Sequence, residues 1–392
     1  VPPTELEQLR PVPAFRRDRV AHAWVLMRGI GDAGDAIWSV ALAWTAVQTT
    51  TPALAGLIVA AGSIPRAVAL LFGGVLADRL DARRIMLLFN IARTAVLITV
   101  AVWCVMTTPT MAVLLGAALL FGLCDAFYDP ASGTISRQLV RRADLAAYTG
   151  AMQTAGRLGG MFGAATGGVL IAQAGLAGSA AVNAVTFAVL VGFIAIWLRP
   201  RFALPRAARE PVLRGITAGF VHLREAPTTR ALVIALGTLN VAIAPVLGVG
   251  VALRASADGW GAEGVGFFGA ATGIGAAIGA AIVIRWRPRR EAFAGFLSFS
   301  LQGAAIVGVG LGPYWLVVIA GIVIGFGAGF GSVLLGATFA GVTEPSFLGR
   351  MGSIIRLGDD SLRPLTTVAF GALATVTALW VPFVSTAGRS RS

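Results

Sequence analysis

The sequence contains no lysine, and it is poor in charge of every other kind. Only 12% of its 392 residues are charged, against 57% hydrophobic. A soluble domain carries roughly 25% charged residues. A chain of this length with half that share cannot cover a water-facing surface. Soluble enzymes, disordered chains and nucleic-acid binders are excluded, although the 31 basic residues, all arginine, leave a net charge of +13. Cysteine is as scarce. Cys104 and Cys124 both sit in apolar runs and suggest neither a disulfide framework nor a metal site. The two histidines, His22 and His222, lie at the edges of apolar runs. There is no Walker loop and no Ser/His/Asp grouping, so neither ATP-driven transport nor enzymatic catalysis is expected, and no cofactor or metal. Residues 1–20 are polar, and the apolar run behind them is too long for the core of a cleavable signal.

What the sequence does have is long apolar runs. A helix needs ~20 residues to cross a bilayer. Runs of that kind lie at about 22–47, 53–77, 85–107, 110–129, 149–173, 177–198, 231–253, 263–284, 292–312, 314–338 and 351–384. All should be helical, because lipid cannot satisfy open backbone groups. The fold class is therefore an all-α polytopic membrane protein with eleven clear spans.

Arginine placement tests that count. With a cytoplasmic N-terminus, the inside segments hold 22 arginines, and the outside loops before the tail hold only Arg254. Such a split is a strong positive-inside signal. It breaks at the C-terminus, where an odd number of spans leaves Arg389 and Arg391 outside. The run from Leu379 to Gly388 reads as the stub of a truncated twelfth span.

Six spans precede residues 199–230, the longest polar stretch between spans, and five spans plus the stub follow. The expected organisation is a cytoplasmic N-tail (1–20), a six-helix bundle (21–198), a cytoplasmic linker (199–230) and a second bundle (231–392). Leu213 to Arg224 is amphipathic and suits the membrane surface. Two parallel repeats joined by a cytoplasmic linker are a transporter plan.

Two motifs are specific. Gly74-Val75-Leu76-Ala77-Asp78-Arg79-Leu80-Asp81-Ala82-Arg83-Arg84 joins spans two and three. In span five, Gly150, Gly159, Gly163, Ala164, Gly167 and Gly168 form a long spaced pattern, with glycine every four residues from 159 to 167. Such a stripe lets helix backbones approach closely, and ordinary packing is its plain reading. The first stretch resembles the signature loop of the major facilitator superfamily, departing from it at Asp81 and Ala82. The second resembles the superfamily's antiporter motif, with Ala164 where proline is usual. Gly34-Asp35, Asp129-Pro130-Ala131, Asn183 with Phe187, and Gly349-Arg350-Met351 extend the likeness over about residues 15–384. Together they resemble the drug:proton antiporter branch that includes macrolide-efflux and siderophore-export proteins.

The resemblance implies a fold of two six-helix repeats. It also implies that Asp78 faces the N-terminus of a helix in the other half, where the helix dipole favours an anion, with Gly74, Arg79, Arg83 and Arg84 completing the loop. The alternative for the loop is a positive-inside anchor only. Span eleven, which meets this loop in the family, opens with Arg356, Asp359, Asp360 and Arg363. Gating ion pairs and a fraying polar helix start are the two readings.

Charges inside spans are costly and usually functional or paired. Arg28, Asp32 and Asp35 share one face of span one, which lines the central cavity in this family. Asp32 and Arg28 can pair structurally, and Asp35, the deepest, is a proton-carrier candidate. In span four, Asp125 is preferred over Asp129, which precedes Pro130. Arg66 and Arg157 could meet cavity carboxylates, and Arg93 is expected to snorkel towards the inner face. Trp38, Trp44 and Phe127 could shape an apolar pocket or simply be core.

The expected function is a secondary active transporter: a proton-coupled exporter of small amphipathic compounds such as antibiotics or siderophore-like metabolites, working by alternating access. Its partners would be the small-molecule substrate, protons and the lipid bilayer, with no nucleic acid. It would be a multi-pass monomer in a bacterial inner membrane with its N-terminus cytoplasmic. The alternatives are a metabolite importer or facilitator, and a degenerate membrane protein that transports nothing.

Overall fold

The computed structural model describes residues 12–66, 81–202, 223–343 and 347–389. Gly74, Asp78 and Arg79 of the signature loop, most of the 199–230 linker, and the side chains of Arg350 and Arg356 lie outside the described residues. Among those described, every regular element is a helix.

α1 (Arg19–Thr49) begins where Asp18 accepts hydrogen bonds from the backbone N–H groups of Val20 and Ala21, both at 3.1 Å. That carboxylate satisfies two of the donors every helix start leaves open. Thr51 caps α2 (Pro52–Ala61), whose first residue is proline, as N1 allows. Asp81 caps α3 (Ala82–Met106), accepting from Arg83 N–H at 2.8 Å. The departure from the family's glycine at this position is thus a helix cap. Thr110 caps α4 (Met111–Leu139). α5 (Leu145–Ile196) is two spans in one: only Gly175, at φ 63° and ψ −167°, leaves helical geometry. A left-handed φ is costly for residues with a Cβ, so one glycine serves as the whole connection.

α6 (Pro227–Pro245) runs through a π-turn at Val246–Gly250 into α7 (Val251–Asp258). α8 (Gly261–Arg285) and α9 (Glu291–Leu311) follow. α10 (Tyr314–Phe326) passes through a second π-turn, Gly327–Gly331, into α11 (Ser332–Val342). α12 (Leu348–Val376) carries Pro364 inside it, and α13 (Trp380–Arg389) closes the described chain.

Seven of the helical stretches are long and apolar enough to cross a membrane, α5 being counted once. α1 is 31 residues long but carries Arg28, Asp32 and Asp35 along its middle. One expected boundary is corrected. The run 351–384 is not one span: α12 stops at Val376, and Trp380 starts a new helix. The stub expected over Leu379 to Gly388 is this short ten-residue helix. Phe383 packs edge-on against Phe370 and fills the space beside Gly310 of α9.

Close backbone approaches position everything else. Along α5, a Cβ on Gly159 would run into the Gly29 carbonyl, and one on Gly163 into Ala33. A Cβ on Gly167 would lie 2.9 Å from the Ile37 Cα. The glycine stripe therefore seats α5 against the charged face's own helix, α1. Gly150, the first residue of that motif, has open space beside it. Between the earlier and later parts of the chain, Gly168 of α5 meets Gly266 of α8, and Gly56 of α2 meets Gly371 and Thr367 of α12. Gln48 Nε2 adds a 3.0 Å hydrogen bond to Ser256 Oγ, and Ala53 N–H one of 3.0 Å to Thr375 Oγ1.

Candidate functional site: a charged cluster on α1, α2, α3 and α4

The charged residues of the first spans converge. Asp125 of α4 is the hub: Arg93 from α3 and Arg66, just beyond α2, both donate to it, the latter at 2.8 Å. Arg66 also reaches Asp129, one helical turn on, at 3.2 Å. Arg28 donates to Asp32 through Nε at 3.0 Å and 3.3 Å, and its Nη1 lies 3.4 Å from Ser132 Oγ of α4.

Arg93 is where the sequence reading needs correction. It does not snorkel. It is 2% exposed, its guanidinium 4.6 Å from the Tyr128 ring centroid, 5.3 Å from Phe121 and 5.2 Å from Phe187. Three ring faces attract a desolvated cation, and Asp125 supplies the counter-charge. Arginine suits such a place, being weakly hydrated and planar. The signal was in the sequence only as a lone arginine in an apolar run. Which way that face of α3 turns depends on packing against α4 and α5, which no local pattern contains.

Asp35 stands differently. Its Oδ1 is buried and has no hydrogen-bond partner, and no ion pair within 4.0 Å joins it to the described residues. It lines a cavity of about 270 Å³ with Arg66, Asp125, Ser39 and Ser63, walled by Trp38 and Phe121. Those two rings stack with centroids 5.6 Å apart. The site thus offers an apolar, aromatic wall and a few convergent polar groups, the usual make-up of a small-molecule site. Phe127 stacks on Phe89 instead, and Trp44 lines a separate pocket near Gln48 and Cys104.

Arg157 is half-buried on α5 and forms no ion pair among the described residues, so it stays outside the cluster. Arg83 of the signature loop donates to the carbonyls of Ile194 at 3.1 Å and Ala195 at 2.5 Å, at the end of α5. Helix C-terminal carbonyls lack partners of their own and favour a cation. Arg84 is exposed. Asn183 and Thr186 of α5 press against Gly34, beside Asp35. Among the described residues no group of three or more metal-ligating side chains is present.

The sequence model described as the Major Facilitator Superfamily matches residues 25–362. The enterobactin exporter EntS of Escherichia coli O81 (strain ED1a) is 29% identical over 298 residues, covering 73% of this chain and 68% of the relative. The protein of the same name from Shigella boydii serotype 18 is 31% identical over 220 residues, and the match spans only half of that relative's length. Among solved structures, the nucleoside transporter NupG superposes with a TM-score of 0.75 at 13% identity, covering 95% of this chain and 96% of that one. The human organic anion transporter MFSD10 (TETRAN) gives 0.66 at 16%, covering 97% and 98%. These superpositions speak for the fold alone. With the family's sequence model matching most of the chain, this all-helical membrane protein belongs to the major facilitator superfamily.

Proposed function

We propose that the chain is a proton-coupled exporter of small amphipathic compounds, working by alternating access. Its two bundles, residues 21–198 and 231–392, rock around the cavity between the cytoplasm and the outside of a bacterial inner membrane. The N-terminus is cytoplasmic, as the arginine distribution favours, and the working unit is a monomer.

The observation that carries this reading is Asp35. It is a carboxylate with no hydrogen bond or ion pair among the described residues, on the wall of a cavity with an aromatic side, in the middle of α1. Neighbouring carboxylates are matched by arginines: Asp32 by Arg28, Asp125 by Arg66 and Arg93, Asp129 by Arg66. A proton or a substrate group can satisfy Asp35, and competition between the two couples their movements. The aromatic wall of Trp38 and Phe121 suits a substrate with a flat apolar body. The exporters of enterobactin among the relatives favour the outward direction and a siderophore-like substrate.

Reconstituted vesicles test this, with enterobactin as the first probe and macrolides as the second. Substrate movement should drive a counter-flow of protons in the native protein, and Asp35→Asn should abolish it while the protein stays folded. Undiminished substrate-driven proton flux in Asp35→Asn removes the carboxylate from the mechanism. Uptake rather than efflux in whole cells reverses the direction.

A further inference from the structure

We propose that the N-terminal end of the first bundle binds the headgroup of an anionic phospholipid, and that the bound headgroup holds the segment before α1 docked as a strap. The site is formed by Arg16, Arg17 and Arg19 of that segment and the start of α1, Arg142 between α4 and α5, and Arg199 just past α5. It takes no part in the transport reading above and shares with it only the orientation of the chain.

The strap is built on two carboxylates. Asp18 is 2% exposed. Besides capping α1, it accepts from both terminal nitrogens of the Arg201 guanidinium, Nη1 and, at 3.1 Å, Nη2. Such a bidentate pair fixes direction as well as distance. The backbone N–H groups of Arg201 and Phe202 donate to the Gln138 carbonyl, near the end of α4, at 2.9 Å and 3.0 Å. Asp144 accepts from Phe15 N–H at 3.2 Å and from Arg141 Nε at 2.8 Å. The Phe15 ring stacks on His22, centroids 4.6 Å apart, and meets Tyr148 edge-on at 5.7 Å. The segment before α1, the α4–α5 connection and the exit of α5 are thereby gathered at one end of the bundle.

That gathering concentrates charge of one sign. Residues 12–19, 137–144 and 199–202 hold eight arginines against two acids, Asp18 and Asp144. Arg201 and Arg141 occupy the two carboxylates. Arg16, Arg17, Arg19, Arg137, Arg142 and Arg199 are exposed and form no ion pair among the described residues. Like charges brought together repel, and docking the strap adds Arg16, Arg17 and Arg19 to the others. A phosphate group is the matching counter-ion, because the planar guanidinium fork pairs with its oxygens bidentately.

The neighbouring surface selects a lipid over a dissolved anion. Val182, Val185, Val189 and Ile196 of α5 are exposed, and their spacing puts them on one face of the helix. Phe187, Leu190 and Ile194 are buried on the opposite face. An apolar, unpacked face of a membrane helix meets acyl chains. This one ends at Ile196 and the neighbouring Trp197, 58% and 56% exposed, with Arg199 two residues further on. The Trp197 ring leans on Phe193 at 5.7 Å, and Phe193 stacks on Trp24 at 6.2 Å, so a line of rings joins the exit of α5 to the first turns of α1. Tryptophan favours the boundary between acyl chains and headgroups, which puts the arginines at headgroup level. Apolar surface leading into arginines fits a ligand with an apolar tail and an anionic head, and arginines so placed attract anionic lipid at short range.

The test uses the full chain with Cys104 and Cys124 replaced by alanine and spin labels on Pro13→Cys and Ala147→Cys, both exposed and outside the site. Pulsed electron paramagnetic resonance reads the distance from strap to α5 in lipid nanodiscs, which offer lipid to both faces of the protein. In phosphatidylglycerol the short, docked distance should dominate. In phosphatidylcholine at the same salt the undocked population should rise about tenfold. Arg16→Gln, Arg17→Gln and Arg142→Gln combined should remove that difference between the lipids. Asp18→Asn should undock the strap in both, which shows that the labels read its release. In native mass spectrometry phosphatidylglycerol should stay bound in preference to phosphatidylcholine, and less so in the triple variant. Equal strap populations in the two lipids, or a difference that survives the triple variant, overturns the site. Inorganic phosphate that docks the strap in phosphatidylcholine as fully as phosphatidylglycerol does overturns the lipid as its ligand. No substrate or proton movement enters these readings, so they stand or fall apart from the flux experiment on Asp35→Asn.

Discussion

The amino-terminal and carboxy-terminal parts of this molecule differ in what they add to close helix packing. Before residue 202, ion pairs and hydrogen bonds join Arg28 to Asp32 and Ser132, Arg66 to Asp125 and Asp129, and Arg93 to Asp125, with Asp35 beside them on the cavity wall. After residue 223, the stretch 292–343 has no charged residue. There α8 and α10 are fitted backbone to backbone. A Cβ on Gly275 would strike the Ile322 carbonyl, one on Gly325 the Thr272 carbonyl, and one on Gly279 would sit 2.6 Å from the Phe326 carbonyl oxygen. Lipid gives apolar helices no hydrophobic reason to associate, so small residues and polar contacts must do it. One part relies mainly on close fit, the other on both. The difference assigns adjustable chemistry to the first part and rigid support to the second.

The comparison can be broken first at Asp125. Asp125→Asn leaves Arg93 buried among three rings without a counter-ion, and a loss of ~3–5 kcal/mol of stability is expected. Unfolding in mixed micelles, followed by circular dichroism, measures it. A loss comparable to that of a surface substitution would mean the ring cage alone holds the guanidinium. Next come Gly163→Leu in α5 and Gly325→Leu in α10. Each overfills a backbone contact and should cost about 1–3 kcal/mol or more. Transport per folded molecule should fall for Gly163→Leu, which displaces α1 between Asp32 and Asp35, and hold for Gly325→Leu. Equal losses would erase the distinction between the two parts. The smallest effect belongs to Gly150→Ala. With open space beside it in a helix, alanine should stabilise by ~0.5–1 kcal/mol and leave transport alone. Lost transport there would give this glycine a role beyond packing.

Much of the helical layout is legible in the sequence. The run at 292–312 is α9, Glu291–Leu311, and the run at 263–284 is α8, Gly261–Arg285. Apolar runs and turn residues are local signals and survive folding unchanged. The break at 377–379 was hidden because Thr377, Ala378 and Leu379 are apolar enough to continue a hydropathy run while their backbone leaves the helix. Of the site, the i, i+4 spacing of Arg28 and Asp32 announces their pair. In the sequence Asp125 is preferred over Asp129 on the strength of Pro130, but its two arginine partners, the burial of Arg93 and the lack of an ion pair for Arg157 among the described residues depend on how α3, α4 and α5 are rotated against each other. That rotation is set by contacts between distant segments, and the sequence of any one helix is silent about it.

The charged face of α1 also bears on how the protein is made. Chains emerge from the ribosome N-terminus first, so the helix with Arg28, Asp32 and Asp35 meets the translocon before the helices that complete its surroundings. A charged residue at the middle of an inserting helix costs roughly 2.5–3.5 kcal/mol. The Arg28–Asp32 pair offsets part of that cost, and Asp35 has no such help within its own helix. Ser132 arrives only with α4, and the close-fitting glycines only with α5. A helix made before α4 and α5 is thus poorly able to settle until they arrive, and assembly of this half must run backwards onto it.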